Sequence, residues 1–332
     1  MTTSGTFTFT VSRDDIVREA MMNIGKLGAT DILGPQDILD CSRKLNLMVK
    51  QWMGTTDMAP GLKVWTRQHC DLFLSSTHFQ YGIGPSGDAW AASVAAIPGA
   101  QFGADQIITG AATGATVLTT GVGSTSNFTA GDFIVVAPLS TGDSFSTTIL
   151  SINAGLGTLT LNAALPAAAA SGAWLFNFTT KGQRPMEIQT AILRDVNNVD
   201  TPLNYMTLQT YEALPNKVQP GNLSDPAAIY YEAQLTNGQL YIDCGGAQDT
   251  TKHLHIVGLR PIQDFNNPLD TPDYPAEWFD ALCWGLAIRI APMYNAMWTP
   301  QMQGNHDAAL AIARESYPQT TEIYFQCNAD NP

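Results

Sequence analysis

The chain of 332 residues is 45% hydrophobic and 14% charged, enough to bury at least one good core and to form two or three domains. Sixteen Lys and Arg stand against 29 Asp and Glu, a net charge of −13, which argues against a protein that grips nucleic-acid phosphate but not against one that DNA merely passes. The five cysteines (Cys41, Cys70, Cys244, Cys283, Cys327) are scattered and never spaced C-x-x-C, so neither a disulfide framework nor a zinc site is indicated and a reducing compartment is expected.

The first ten residues lack a basic patch followed by an apolar run, so no secretory signal is expected. Ser12 and Asp15 predict an N-cap and its N3 carboxylate; Ile16, Ala20 and Ile24 follow at helical spacing, and Gly25 and Gly28 end the helix. Beyond Gly34 and Pro35, the residues Ile38, Cys41, Leu45, Met48 and Trp52 recur at steps of three and four. They predict a second amphipathic helix closed by Gly54. Such a pair needs a third surface to cover it.

From residue 62 the texture becomes short alternating runs that read as strands, with a turn-rich YGIGPSGD at 81–88. Residues 89–181 are rich in Ala, Gly, Thr and Ser, and carry no Lys or Arg before Lys181. Short strand-like pieces at 133–137, 158–161 and 174–179 predict a small inserted all-β sandwich or barrel. Strand patterns return at 188–193, 203–208, 229–235, 239–243 and 253–259, with Asn237-Gly238 as a hairpin turn signal.

The stretch 274–294, YPAEWFDALCWGLAIRIAPMY, predicts a helix with Pro275 in its first turn, Glu277 and Asp280 at the positive end of its dipole, and Pro292 as its stop. Trp278, Phe279, Leu282, Trp284, Leu286, Ile288 and Ile290 cover nearly every face, while Ala281 and Gly285 permit close backbone approach. A helix apolar all round belongs inside a bundle or an assembly. About 16 residues with Arg289 among them are too short and too polar for a bilayer span. Thr299-Pro300 opens a last helix that Pro318 stops, and Ile323, Tyr324 and Phe325 make an apolar cluster in the tail, read as a docking segment.

The expected fold class is α+β. A helical bundle would be formed by residues 10–61 and 273–318, a β domain by 62–88 and 182–272, and the inserted β domain by 89–181, with a docking tail at 319–332. Catalytic signals are sparse. Gly82-x-Gly84-x-x-Gly87 matches a dinucleotide pattern, but Pro85 interrupts it and no helix pattern follows, so it reads as a turn. No G-x-S-x-G, H-E-x-x-H or Walker lysine occurs. His253 and His255 alternate on a strand and share a side, yet no carboxylate or cysteine spacing completes a metal site. Glu277 and Asp280 could form a carboxylate pair for glycan hydrolysis, but their place in a first helical turn explains them. Trp52, Trp65, Trp278 and Trp284 read as core or subunit-interface anchors. No catalytic residue, cofactor or metal is expected.

The order of features resembles the head-to-tail adaptor proteins of tailed bacteriophages, in particular the tail accessory or packaged-DNA stabilisation proteins of short-tailed phages. The resemblance rests on a helix ending in Ile24-Gly25, a helix with Leu45-Asn46 and a terminal Trp52, and the Pro275-x-Glu277-Trp278 run that continues to Ala291-Pro292-x-Tyr294. Tyr81–Asp88 and Arg184-Pro185 resemble two further landmarks, here about 95 residues apart. It covers roughly 12–88 and 183–318; the segment between is a departure from it.

The resemblance implies a virion protein made in the host cytoplasm, forming a ring of copies of itself, a dodecamer, beneath the portal protein at the head-tail interface. The ring would prolong the channel for double-stranded DNA, without sequence-specific binding, and present a platform to a tail tube or nozzle protein. The C-terminal tail would reach the portal, with Tyr317, Ile323, Tyr324 and Phe325 as anchors, and Trp278 and Trp284 complete the candidate portal or subunit interface. No membrane contact is implied. The alternative is a cell-wall glycan hydrolase, or a glycan-binding module carried by the insertion.

Overall fold

The computed structural model describes residues 5–6, 8–54, 65–92, 104–219 and 221–315. The chain begins with α1 (Arg13–Asn23) and α2 (Pro35–Gly54). Three strands follow, β1 (Arg67–Phe73), β2 (Gln80–Ile83) and β3 (Trp90–Ala91). Next come β4 (Ala104–Gln106), β5 (Val117–Thr119), β6 (Phe133–Leu139), β7 (Phe145–Asn153), β8 (Thr158–Leu161) and β9 (Ala169–Phe178). β10 (Glu187–Arg194), β11 (Asp200–Pro202), β12 (Asn204–Tyr205) and the short α3 (Leu208–Glu212) precede β13 (Leu223–Ser224) and β14 (Ala228–Glu232). β15 (Gly238–Ile242), β16 (Gly246–Ala247) and β17 (His253–Leu259) lead to α4 (Phe279–Ile290) and α5 (Pro300–Glu315).

The expected α+β class, with a helical bundle made by the two chain ends, is corrected by this inventory. The described residues hold more strand than helix, with seventeen strands against five helices. A bundle needs long helices with a sustained apolar seam. Here α4 is 12 residues, because a 3₁₀ turn at Ala276–Trp278 precedes it and Pro292, which has no N–H to give, turns the chain into a second 3₁₀ turn at Ala291–Tyr294. Non-helical chain supplies Ile262, Phe265 and Tyr274 to the same core.

The chain divides into two compact units, Met1–Thr66 with Ile262–Pro332, and Arg67–Pro261. In the first, α1, α2 and α5 each pack on α4. α1 starts on a complete capping box, with Asp15 N–H donating to Ser12 Oγ at 3.2 Å and Ser12 N–H to Asp15 Oδ2 at 2.9 Å. Gly285 of α4 lies under α2, where a Cβ would come within 2.9 Å of both Met48 Sδ and a Trp52 ring carbon. α2 also grips the segment before α4. Asn46 donates to Phe265 O at 3.0 Å and accepts from Phe265 N–H at 2.9 Å, and Lys50 Nζ donates to Ile262 O at 2.9 Å.

The second unit is built of sheets. A five-stranded antiparallel sheet in the order β11-β10-β17-β1-β3 faces a four-stranded one, β12-β14-β15-β2. Leu72, Leu193, Leu254 and Ile256 of the first meet Tyr81, Ile83, Ile229, Leu240 and Ile242 of the second in a common core. The strand predicted over 203–208 stops after Tyr205, because Thr207 caps α3 by accepting from Thr210 N–H at 3.2 Å.

A six-stranded sheet, β4-β9-β6-β7-β8-β5, occupies 104–178. It curls toward closure, since Ile108 N–H, just after β4, donates to Thr119 O at the β5 edge, 2.9 Å away. Ile134 and Val136 point inside it with Leu118, Ile149, Leu159 and Leu175. Val135 and Ala137 point outward and pack with Phe73, Ala91, Phe176 and Phe178. β6 is therefore buried on both faces, which accounts for its unbroken apolar run.

Candidate functional site

The residues singled out by sequence have different fates. Trp278 is 0% exposed and lies 6.0 Å from the Trp52 ring, 5.5 Å from Trp65 and 5.9 Å from Tyr274, so it holds the core and offers no surface to a partner. Trp284 is half-buried, edge-on to Trp298 at 6.4 Å. Tyr317, Ile323, Tyr324 and Phe325 lie outside the described residues. Glu277 and Asp280 are both exposed, and partial burial raises the Asp280 carboxyl against the lowering effect of a hydrogen bond from Trp284. The glycines at 82–87 make a tight turn: Asp88 N–H donates to Gly82 O at 2.7 Å, Gly82 N–H to Asp88 Oδ2 at 2.6 Å, and a Cβ on Gly87 would fall 1.9 Å from Gly82 O.

The pairing of β1 with β17 brings together side chains that are about 185 residues apart in sequence. Asp71 lies opposite His255, His69 opposite Val257 and Phe73 opposite His253, all on one face of the five-stranded sheet. Asp71 Oδ1 is 2.8 Å from His255 Nδ1 and 3.7 Å from His253 Nε2. His255 Nε2 is in turn 3.3 Å from His69 Nδ1. The row runs from buried to exposed: His253 is fully buried, Asp71 and His255 nearly so, and His69 is open to solvent. Burial lowers the His253 pKa to about 4, outweighing the pull of Asp71, so this ring is neutral at pH 7. Across β17 the row continues to Arg194 on β10, which is bound by both carboxylate oxygens of Asp200 at 2.6 and 2.9 Å.

At its exposed end the row opens into a groove of about 550 Å³ lined by Arg67, His69, Glu187, Ile188, Gln189, Thr190 and Val257. No protein-family model and no curated protein sequence matches this chain. Chemically the row is an Asp–His–His chain that can carry a proton between a buried carboxylate and a solvent-facing imidazole. No thiol joins it, since Cys70 points to the opposite face and burial pushes its pKa far up. Among the described residues no group of three or more His, Cys, Asp or Glu is placed to hold a metal ion.

Sequence reasoning reached His253 and His255 on a common side but missed Asp71 and His69. The signal was present as a second alternation, His69-x-Asp71, on another predicted strand. Only the β1–β17 register puts the two alternations on one face.

Proposed function

We propose that the protein is a structural virion component, a head-to-tail adaptor whose copies form a ring below the portal, extend the DNA channel and carry the tail. The observation that bears most weight is the outer face of α2. Its inner face buries Leu45, Met48, Val49 and Trp52, yet Leu39 and Leu47 stand outward at 63% and 58% exposure beside Arg43 and Lys50. In the same unit Ile32 and Met297 are 93% and 84% exposed. Apolar groups turned outward on a unit that already has a full core suit subunit contacts. The net charge of −13 suits a channel wall, because carboxylates repel the phosphates of passing DNA and do not hold them.

In this reading the unit containing both chain ends makes the ring and portal contacts, and the β unit serves the tail side. The test is a mass measurement of the pure protein with and without portal protein. The wild-type chain is expected to join the portal as a ring, and L39E/L47E to remain monomeric while unfolding at the wild-type temperature. A double variant that still assembles on the portal would remove the support that α2 gives.

A further inference from the structure

The Asp–His–His row and its groove have a chemistry that ring assembly does not use. The Asp71 carboxylate can only accept, so His255 donates Nδ1–H to it at 2.8 Å and keeps Nε2 as an acceptor. His69 Nδ1–H then donates to that nitrogen at 3.3 Å, which leaves Nε2 of His69 free on a ring that lines the groove. A proton arriving at His69 is thus backed by a second imidazole and, behind it, by a nearly buried carboxylate. Beside it on the same strand, two residues away and on the same face, stands the exposed guanidinium of Arg67.

We infer that the groove binds a small oxyanion, a molecule bearing a sulfate, phosphate or carboxylate group, between Arg67 and His69, and that binding draws a proton onto the His69–His255 pair with Asp71 as counter-ion. The guanidinium offers a planar fork matched to two oxyanion oxygens, and imidazolium Nε2–H adds a charge-assisted donor. Thr190 and Gln189 supply neutral donors from β10, on the far side of β17 in the same sheet. Glu187 has the sign of the ligand, which keeps the anion on the Arg67 and His69 side. The other charged or titratable groups on this face are accounted for: His253 is buried and neutral, and Arg194 is held by Asp200. A volume of about 550 Å³ is the size of a small-molecule site. Asp71 and His255 are positioning residues, acting through His69.

Sulfate is the probe, because its charge is constant across the range in which histidine titrates. Calorimetry on the full chain is expected to give binding roughly tenfold tighter at about pH 5.5 than at about pH 8, with proton uptake at an intermediate pH. R67Q should weaken binding at both values by about tenfold, and H69Q should abolish the pH dependence. D71N should weaken sulfate binding at about pH 5.5, because the paired imidazoles lose the carboxylate behind them. Arg67 and His69 are exposed, so their variants should unfold at the wild-type temperature and carry the test even where D71N fails to fold. Absence of sulfate binding at both pH values, or binding indifferent to R67Q and H69Q, would overturn the inference. Tight binding of a short DNA duplex through the same two residues would overturn the assignment to a small ligand.

Discussion

At the scale of single residues, His253 makes the clearest demand on conditions. It lies 5.8 Å from Phe73 and 6.2 Å from Phe176 with no exposed surface, and its pKa falls from 6.5 to about 4 because burial disfavours the charged ring. The unfolded chain therefore takes up a proton near 6.5 that the folded chain refuses until about 4. Between those values the unfolded state binds more protons, so stability falls as pH drops and levels off below the lower one. The full effect of this group is about 3 kcal/mol. Urea midpoints of wild type between about pH 7 and about pH 4 should fall faster than those of H253Q, whose amide does not titrate. Equal slopes would mean that the ring takes up its proton in the folded state.

At the scale of elements, two polar side chains join segments that apolar packing alone would leave loosely registered. Asn46 treats Phe265 as a strand neighbour would, giving and receiving one hydrogen bond, and so fixes non-helical chain along α2. N46A leaves both backbone groups of a nearly buried residue without that partner, and should cost about 1–3 kcal/mol by chemical denaturation. N46D restores only the acceptor and should recover part of the loss. Asp143, in the turn between β6 and β7, plays the corresponding part for the six-stranded sheet. It accepts from Ser75 Oγ at 2.6 Å, Ser76 N at 3.0 Å, Thr77 Oγ1 at 3.0 Å and Ser144 N at 2.8 Å. Burial would raise its pKa, but these four donors prevail and hold the carboxyl below the usual range. D143N turns an amide NH₂ toward donors, and amide exchange in 74–77 and 140–144 should quicken while that of β1 and β17 stays slow. Uniform acceleration would show the unit to unfold as one piece.

At the scale of the whole molecule, composition and exposed surface pull in opposite directions. Two copies of a chain of charge −13 repel one another at low ionic strength. Outward leucines on α2 favour association at any ionic strength. If the adaptor reading holds, self-association measured by sedimentation should strengthen from about 20 mM to about 500 mM salt, as screening removes the repulsion and leaves the apolar contact. Weakening over the same range would point to ion pairs as the joining force and to a different surface.

What could be read from the sequence was local. The capping box at Ser12 and Asp15, the left-handed Gly25 after α1 and the strands at 158–161 and 253–259 are set by neighbours a few residues away, and short-range sterics and hydrogen bonding suffice to fix them, whereas the turn expected at Asn237-Gly238 is a longer loop, since β14 ends at Glu232 and Gly238 already pairs in β15. The close contact at Gly285 was legible because a missing side chain marks a near approach wherever the partner comes from. The balance of helix to sheet was misjudged for the opposite reason. Long apolar patterns at the two ends suggested a bundle, while many short strands rich in small residues gave a weak signal and yet hold more of the chain. Tertiary structure alone decided that β6 is buried on both faces and that Trp278 is core. It also decided that His69 and Asp71 meet His255, because strand register joins residues about 185 positions apart through backbone hydrogen bonds that are the same for every side chain.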